Sequence, residues 1–499
     1  MRSPTLVLSC LAALTSTVCA AERNSTMPFP AKHFVDVQFT PPEVFEHKNL
    51  VRNINLDKEY PREIINAIVE NVSQEPQDEY WIPFRANIID NVGGLEVKDK
   101  KDPSKGAFPY EYFGLAPEIK AHTEWFRVKL PTPLAPGSQQ TLSISYSILS
   151  SLTPVPSTIA QTDKQYVRFE FSPYAPSSYK THRQKTKVKF PSNDVPDYTI
   201  LPAPNADNQE DPQRQGSTFT YGPYGEVPAL PSVPIHARYE FTKPLIHAER
   251  LERDVEVSHW GGNLATEERY WLVNRGAALK NHFSRVSWQM TSYANPATSA
   301  LKELRIPLKV GAANAYFIDD IGNVSTSNFR ADRREANLAL RPRYPVFGQW
   351  KYKFRVGWDA DLSAYLRKLK TGERYILKIP FLEGPSAREG IEYKEVQIRV
   401  ILPEGATNIN FNSPLPIVSN TTSLHRTFLD TKGRSVLTIN ARNLVDDLRD
   451  RELIVTYDYP WTAAFMKPLG IFAAFLSLFA AIYVLSSLDV SIASRKVKR

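Results

Sequence analysis

Residues 468–488 run for 21 positions without a charge. At about 1.5 Å per helical residue such a run crosses the roughly 30 Å hydrocarbon core of a bilayer, which commits one helix of this chain to a membrane. Arg495, Lys496, Lys498 and Arg499 follow closely. The positive-inside rule then puts the short tail, residues 489–499, in the cytosol. A second apolar segment opens the chain: Arg2, the run 6–14, then Val18-Cys19-Ala20. A charged start, a short apolar stretch and a small-x-small site spell a secretory signal peptide over residues 1–20. The body, residues 21–467, is therefore expected in the secretory lumen, tethered as a single-pass type I membrane protein.

That body is 447 residues long, too much for one hydrophobic core, so at least two domains are expected. The two cysteines are Cys10 and Cys19, both inside the expected signal peptide. A mature chain without thiols excludes disulfide scaffolds, cysteine nucleophiles and Cys-ligated metals. The net charge of +8 overstates the lumenal balance. Without Arg2, the four basic tail residues and Asp489, 56 basic residues face 52 acidic ones, about +4. Such a mild balance does not mark a nucleic-acid surface. Four N-x-Ser/Thr sequons begin at Asn24, Asn71, Asn323 and Asn420, all on the expected lumenal side and all candidates for N-glycosylation.

Period-two alternation dominates the body. Leu142, Ile144, Tyr146 and Ile148 interleave with serines; Val255 and Val257, then Val396, Ile398 and Val400, then Leu453, Val455, Tyr457 and Tyr459 repeat the pattern. Each run buries one face of a strand and wets the other. Pro-rich and Gly-rich punctuation separates the runs. The expected fold class is mainly β: two tandem lumenal β-sandwich-like domains, 21–243 and 244–467, followed by one transmembrane α-helix, 468–488. Residues 191–234 read as a long loop, followed by a strand from His236. Leu362, Tyr365, Leu366 and Leu369 have helical spacing and mark a short helix. The halves share hints of a common plan. Arg62-Glu-Ile-Ile with Glu79-Tyr-Trp-Ile aligns with Arg253-Asp-Val and Glu268-Arg-Tyr-Trp, and Val188-Lys-Phe-Pro aligns with Val400-Ile-Leu-Pro.

Catalytic motifs are scarce. No His-Glu-x-x-His, Gly-x-Ser-x-Gly or phosphate-cradling glycine loop occurs. No cofactor or metal is expected. Asp359-Ala-Asp361 matches a metal-holding Asp-x-Asp pattern, but three residues are a weak match, and caps or turns are the commoner use of Asp. It is the place to look under the alternative reading, a membrane-tethered lumenal glycan-processing enzyme. Aromatics at Phe169, Phe171 and Tyr174, and at Tyr344, Phe347 and Trp350, suit packing better than sugar stacking. In the apolar segment, Gly470 pairs with Ala474, and Ala473, Ser477 and Ala481 recur every four residues. Such a stripe of small residues lets another helix approach closely.

Several segments in order carry a resemblance. Leu251-Glu-Arg-Asp-Val-Glu-Val-Ser-His-Trp-Gly-Gly-Asn263 is followed by Glu267-Glu268; Ile321-Gly-Asn-Val-Ser-Thr-Ser327 and Arg341-Pro-Arg-Tyr-Pro345 come later. With Phe171-Ser-Pro-Tyr174, Tyr221-Gly-Pro-Tyr224 and Ile401-Leu-Pro-Glu-Gly-Ala406, they resemble the ribophorin I family from about residue 40 through the membrane segment. The resemblance implies a non-catalytic oligosaccharyltransferase subunit in the endoplasmic reticulum membrane. Its complex transfers a dolichol-linked oligosaccharide en bloc to Asn of nascent proteins. Implied partners are the other subunits, including a multispanning catalytic subunit with a Trp-Trp-Asp motif absent here, nascent polypeptides, and the translocon as a candidate neighbour. Asn323 matches the family's sequon.

Overall fold

The computed structural model describes residues 33–35, 39–114, 123–202, 211–293, 296–370, 372–428, 430, 432–449 and 451–488. The expected signal peptide, Asn24 and the basic tail lie outside the described residues. The body is β-rich, as its alternation predicts, and ends in one long helix.

Of the thirty-one strands among the described residues, twenty-eight form two sets of fourteen; the others are the two-residue strands His33–Phe34, Thr158–Ile159 and Ala278–Leu279, the last two paired with each other. The first set is β1 (Phe45–Asn55), β2 (Arg62–Asn71), β3 (Gln77–Arg85), β4 (Val92–Asp99), β5 (Tyr110–Gly114), β6 (Thr123–Leu134), β7 (Gln139–Ile148), β8 (Leu152–Pro154), β9 (Tyr166–Phe171), β10 (Gln184–Lys189), β11 (Asp197–Tyr198), β12 (Gln213–Gln215), β13 (Thr218–Tyr224) and β14 (Ile235–Glu240). The second is β15 (Ile246–Ser258), β16 (Asn263–Asn274), β17 (Leu304–Leu308), β18 (Ala313–Asp319), β19 (Asn328–Ala331), β20 (Ala336–Leu340), β21 (Lys351–Asp361), β22 (Leu366–Lys368), β23 (Arg374–Pro380), β24 (Glu392–Glu404), β25 (Thr407–Asn412), β26 (Ser419–His425), β27 (Arg434–Val445) and β28 (Glu452–Asp458).

The two sets are wired alike. The large sheet of the first has the order β12-β13-β10-β1-β2-β7-β4, and that of the second β26-β27-β24-β15-β16-β21-β18. Each order becomes the other on adding fourteen. The same holds for β5-β6-β3 with β19-β20-β17, apart from the extra edge strand His33–Phe34 beside β5, and for β11-β14-β9-β8 with β25-β28-β23-β22. Pairing senses agree too: β1 with β10 and β15 with β24 are parallel, and the neighbouring pairs are antiparallel. A parallel pair needs a long crossover, so sharing it is a strong topological coincidence. Bulges recur, between His47 and Asn49 in β1 and between Ala248 and Arg250 in β15. The chain thus contains a fold repeated in tandem.

Three expectations need correction. Residues 191–234 include β11, β12 and β13, the last completing the large sheet beside β10. The helical spacing after Asp361 belongs to a 3-10 turn, Leu362–Ala364, and then to strand β22. The repeat alignment of Arg62 with Arg253 is one strand out of step, because β1, not β2, corresponds to β15. The alignment of Val188 with Val400 stands, since these residues pair with Ile54 and Val255 at matching positions of β1 and β15.

The repeats are packed together. A Cβ on Gly93 would fall 2.0 Å from the Asn443 carbonyl oxygen, so two backbones meet there with no room for a side chain. Asn443 donates to the Asp90 carbonyl at 2.7 Å. Lys58 pairs with Asp446 at 2.9 Å, and the Glu392 N–H donates to the buried Glu59 carboxyl at 2.7 Å. Burial, reinforced by Glu392, pushes the Glu59 carboxyl well above the usual range.

Candidate functional site

The sequons fall in three different settings. Asn71 ends β2 and is fully buried. Its Nδ2 donates to the carbonyls of Glu75 at 2.8 Å and Leu134 at 2.7 Å, and its Oδ1 accepts from the Ser73 N–H at 2.9 Å. Both amide hydrogens are in use, so a glycan on Nδ2 is incompatible with this arrangement. Asn323 is exposed in the turn after β18, where Arg343 grips its carbonyl at 2.9 Å. Asn420 is exposed on β26, the edge strand of its sheet.

The helix Trp461–Ser487 is long and apolar enough to cross a membrane, and no residue of it is buried within the chain. At 3.6 residues per turn, Gly470, Ala473, Ala474, Ser477 and Ala481 lie within an arc of about 100°. All five are exposed, and the Ser477 hydroxyl is turned back on the Ala474 carbonyl at 2.8 Å. The face therefore presents small, apolar surface. Asp359 and Asp361 have structural work. Asp359 accepts from Asn263 and Asn314, each at 2.9 Å, and Asp361 caps the turn by accepting from the Ser363 N–H at 2.8 Å. The described residues contain no cluster of three metal-ligating side chains.

A site that the sequence did not disclose lies in the first repeat. Along one face of β1, Phe45 and Leu50 belong to one core and Ile54 to another. Arg52 sits between them, buried. It makes a bidentate pair with Glu63 at 2.9 and 2.8 Å and donates to the carbonyls of Ser172 and Tyr174 at 2.7 and 2.9 Å. Tyr146 donates to the same carboxylate, and burial beside Glu63 pushes its hydroxyl well above the usual phenol range. Above this floor opens a groove of about 720 Å3. Phe84 and Ile88 line one side, Phe169, Phe171 and Tyr174 the other, and Leu230, Pro231 and Pro234 form a lip.

The second repeat shows the same place closed. Arg253, three residues past its bulge as Arg52 is past its own, is held by Glu268 and Glu383. One continuous core spans all three of its sheets. The segment after β23 places Phe381 and Leu382, both buried, where the segment after β9 places half-buried Ser172 and buried Pro173. Burying a Phe or Leu is worth about 1.5–3 kcal/mol. The first repeat keeps its groove open although closing it in this way would stabilise the fold.

The ribophorin I family profile matches residues 45–486, both repeats and nearly the whole helix. This chain belongs to the ribophorin I family. A Schizosaccharomyces pombe relative, named dolichyl-diphosphooligosaccharide–protein glycosyltransferase subunit 1, is 30% identical over 89% of this chain and 95% of its own length. The Caenorhabditis elegans protein of that name is 34% identical over 75% of this chain and 61% of its own. Arabidopsis thaliana subunit 1B is 30% identical over 89% and 93%. Among solved structures, an M1 zinc metallopeptidase from Deinococcus radiodurans aligns with 11% identity and a TM-score of 0.22 over 43% of this chain and 44% of that one, too slight a likeness to bear on fold or activity.

In this ribophorin I family chain the segments that carried the resemblance are divided between strands, as at Leu251–Ser258 and Tyr221–Tyr224, and turns. Trp260 lies in the β15–β16 turn, Asn323 in the β18–β19 turn, and Tyr174 on the groove wall. Sequence reasoning missed Arg52, and also Asn274, whose buried amide ties the end of β16 to the Ser299 and Val346 carbonyls at 2.7 and 2.9 Å. A buried amide and a buried guanidinium in alternating strands look like ordinary wet-face residues until the partners from other strands are known.

Proposed function

We propose that this chain is a non-catalytic subunit of an oligosaccharyltransferase, held in the endoplasmic reticulum membrane by its helix with both repeats in the lumen. It supports transfer of a dolichol-linked oligosaccharide to sequon Asn by stabilising the complex around a multispanning catalytic subunit and by handling the acceptor polypeptide. The observation that carries the reading is the family match through the membrane helix, with relatives named as subunit 1 of that transferase. We take residues 21–243 and 244–467 as the two lumenal domains.

Acceptor handling is assigned to the groove of the first repeat. Polar groups such as Arg85, Asn87, Thr123, Glu170 and Ser232 line the groove about equally with apolar side chains, and such a mixed groove suits the backbone and side chains of a polypeptide in extended form. Of the wall aromatics, Phe84, Phe169 and Phe171 are each less than a tenth exposed and Tyr174 alone is half-buried, so little open ring face of the kind that sugar stacking needs is offered. β3 is the terminal strand of its sheet, and β8 pairs with β9 only as far as Phe169, leaving the rest of β9 without that partner. Two strand edges thus border a proline-lipped channel. The alternative of a glycan-processing enzyme has little to stand on, since Asp359 and Asp361 are occupied by Asn263, Asn314 and Ser363. Depletion of the protein is expected to leave sequons under-occupied on many secreted proteins at once. Full occupancy after depletion contradicts the proposal.

A further inference from the structure

The junction between the second repeat and the helix carries an unusual amount of exposed aromatic surface. Phe428 is 100% exposed and Trp260 is 64% exposed, and Trp461 and Phe465 are exposed beside them. They are not scattered. The Trp260 ring donates to the Ala464 carbonyl at 2.7 Å and meets the Phe465 ring at 6.4 Å between centroids. Phe465 in turn meets Trp461 at 5.9 Å. Phe428 lies in the turn where Asp430 accepts from the Thr427 N–H at 2.9 Å. The same Asp430 carboxylate clasps Lys467, the last charge before the apolar run. Burial opposes ionisation there, but Lys467, the Thr427 N–H and hydroxyl and Arg434 outweigh it and hold that carboxyl well below its usual range. Two turns of the second repeat, one at Trp260 and one at Phe428, therefore grip the same short stretch of helix.

That stretch has a fixed height above the membrane. If the hydrocarbon begins near Pro468, Lys467 stands about 1.5 Å above it and Ala464 about 6 Å above it. The polar interfacial layer is about 5–7 Å thick on each side. Trp260 and Phe428 then sit inside that layer, which favours the amphipathic indole of Trp260 and takes the apolar ring of Phe428 out of water. The same turn exposes Arg426 and Lys432, cations suited to lipid phosphates.

We propose that the second repeat rests on the bilayer through these two turns, with Phe428 and Trp260 seated among phospholipid headgroups. The partner is the lipid surface, because the turns are continuous with the segment that enters it. This rests on the reading that the helix spans a bilayer. The contact fixes the tilt of both repeats, since the repeats are locked to each other at Gly93 and Asn443.

Cys10 and Cys19 are the only native cysteines, so added cysteines report cleanly against the labelled parent chain. Full-length Phe428→Cys, Trp260→Cys, Ile321→Cys and Ser477→Cys variants are spin-labelled and placed in phosphatidylcholine–phosphatidylserine vesicles. Collisions with oxygen and with a water-soluble nickel chelate are then compared. Ile321 is a water-exposed reference in the same repeat, 78% exposed. The proposal expects nickel collisions at 428 and 260 to be at least about threefold rarer than at 321, with oxygen collisions retained, as for an interfacial site. Equal nickel access at 428 and 321 overturns it. So does shielding of 428 from both reagents, which marks a covering protein and not lipid. Nickel access at 477 overturns the spanning reading itself, and is a separate outcome.

Discussion

Asn71 and Asn274 hold the same position in the two repeats and share three matching bonds. Each ends the second strand of its hairpin, opposite Phe45 and Ile246 respectively. Each accepts at Oδ1 from the N–H two residues on, at 2.9 Å, from Ser73 and from Gly276. Each donates both amide hydrogens to backbone carbonyls outside its strand, those of Glu75 and Leu134 or those of Ser299 and Val346. An asparagine is thus a structural tie in both repeats, and only the first happens to begin a sequon.

Asn71→Ala and Asn274→Ala should therefore cost similar stability. Each leaves buried carbonyls and an N–H unpaired, for a loss of about 2–4 kcal/mol. Urea unfolding of the purified protein measures it. A cost at Asn71 with none at Asn274 contradicts the shared role.

Glycan mapping by mass spectrometry should find sugar at Asn323 and Asn420 and none at Asn71. Exposure decides this: Asn323 and Asn420 are open and Asn71 is buried. A glycan at Asn71 in folded protein would mean that the end of β2 is built differently.

His47 makes stability depend on pH. It is buried, bonded to Thr181 and to Tyr80, each at 3.0 Å, and burial lowers its pKa to about 4. The unfolded chain takes up a proton near pH 6.5, so its stabilising effect is complete above that pH and is lost as pH falls toward 4. The cost at pH 5 is about 2 kcal/mol. Glu59 works the other way, because a raised carboxyl pKa makes the native state bind the extra proton and gain on acidification. The difference between the parent and His47→Gln isolates the histidine. It should shrink by about 2 kcal/mol in favour of the variant between pH 7 and pH 5. An unchanged difference refutes the assignment.

The helix face of small residues predicts a partner helix. Ser477→Leu puts a bulky side chain on the Gly470, Ala473, Ala474 and Ala481 face and should reduce recovery of companion subunits severalfold in mild detergent. Recovery equal to the parent chain argues that the helix packs through another face.

Much of the strand content was legible in the sequence. The alternation over residues 142–148 is β7, and that over 396–400 lies in β24. Those runs bury one face, so composition alone reports them. The hairpin of β12 and β13 was hidden because its Pro and Gly content mimics a loop, although its partner strand β10 supplies the pairing. The run after Asp361 misled because nine residues sample helical spacing too briefly to tell it from a corner where Leu362 and Tyr365 both turn inward. The repeat was visible at Val188 and Val400 but misregistered at Arg253, whose match is Arg52. A strand shift of one is easy to make when every strand alternates. The groove had only a partial sequence signal: Phe169, Phe171 and Tyr174 stood out as an aromatic cluster but read as packing, and the opening beside them is a difference between two places with the same wiring. Ser172 against Phe381 acquires meaning once the repeats are superposed by strand order.

The most direct test of the account is contact between the groove and an acceptor chain. A photo-reactive amino acid at Leu230, exposed on the lip of the groove, is compared with one at Ile200, exposed elsewhere on the first repeat. Both are placed in the full-length protein in microsomes translating a sequon-bearing secretory polypeptide. The account predicts crosslinks to the nascent polypeptide from position 230 and few or none from 200. Equal yields, or none from 230 while occupancy is normal, would contradict it.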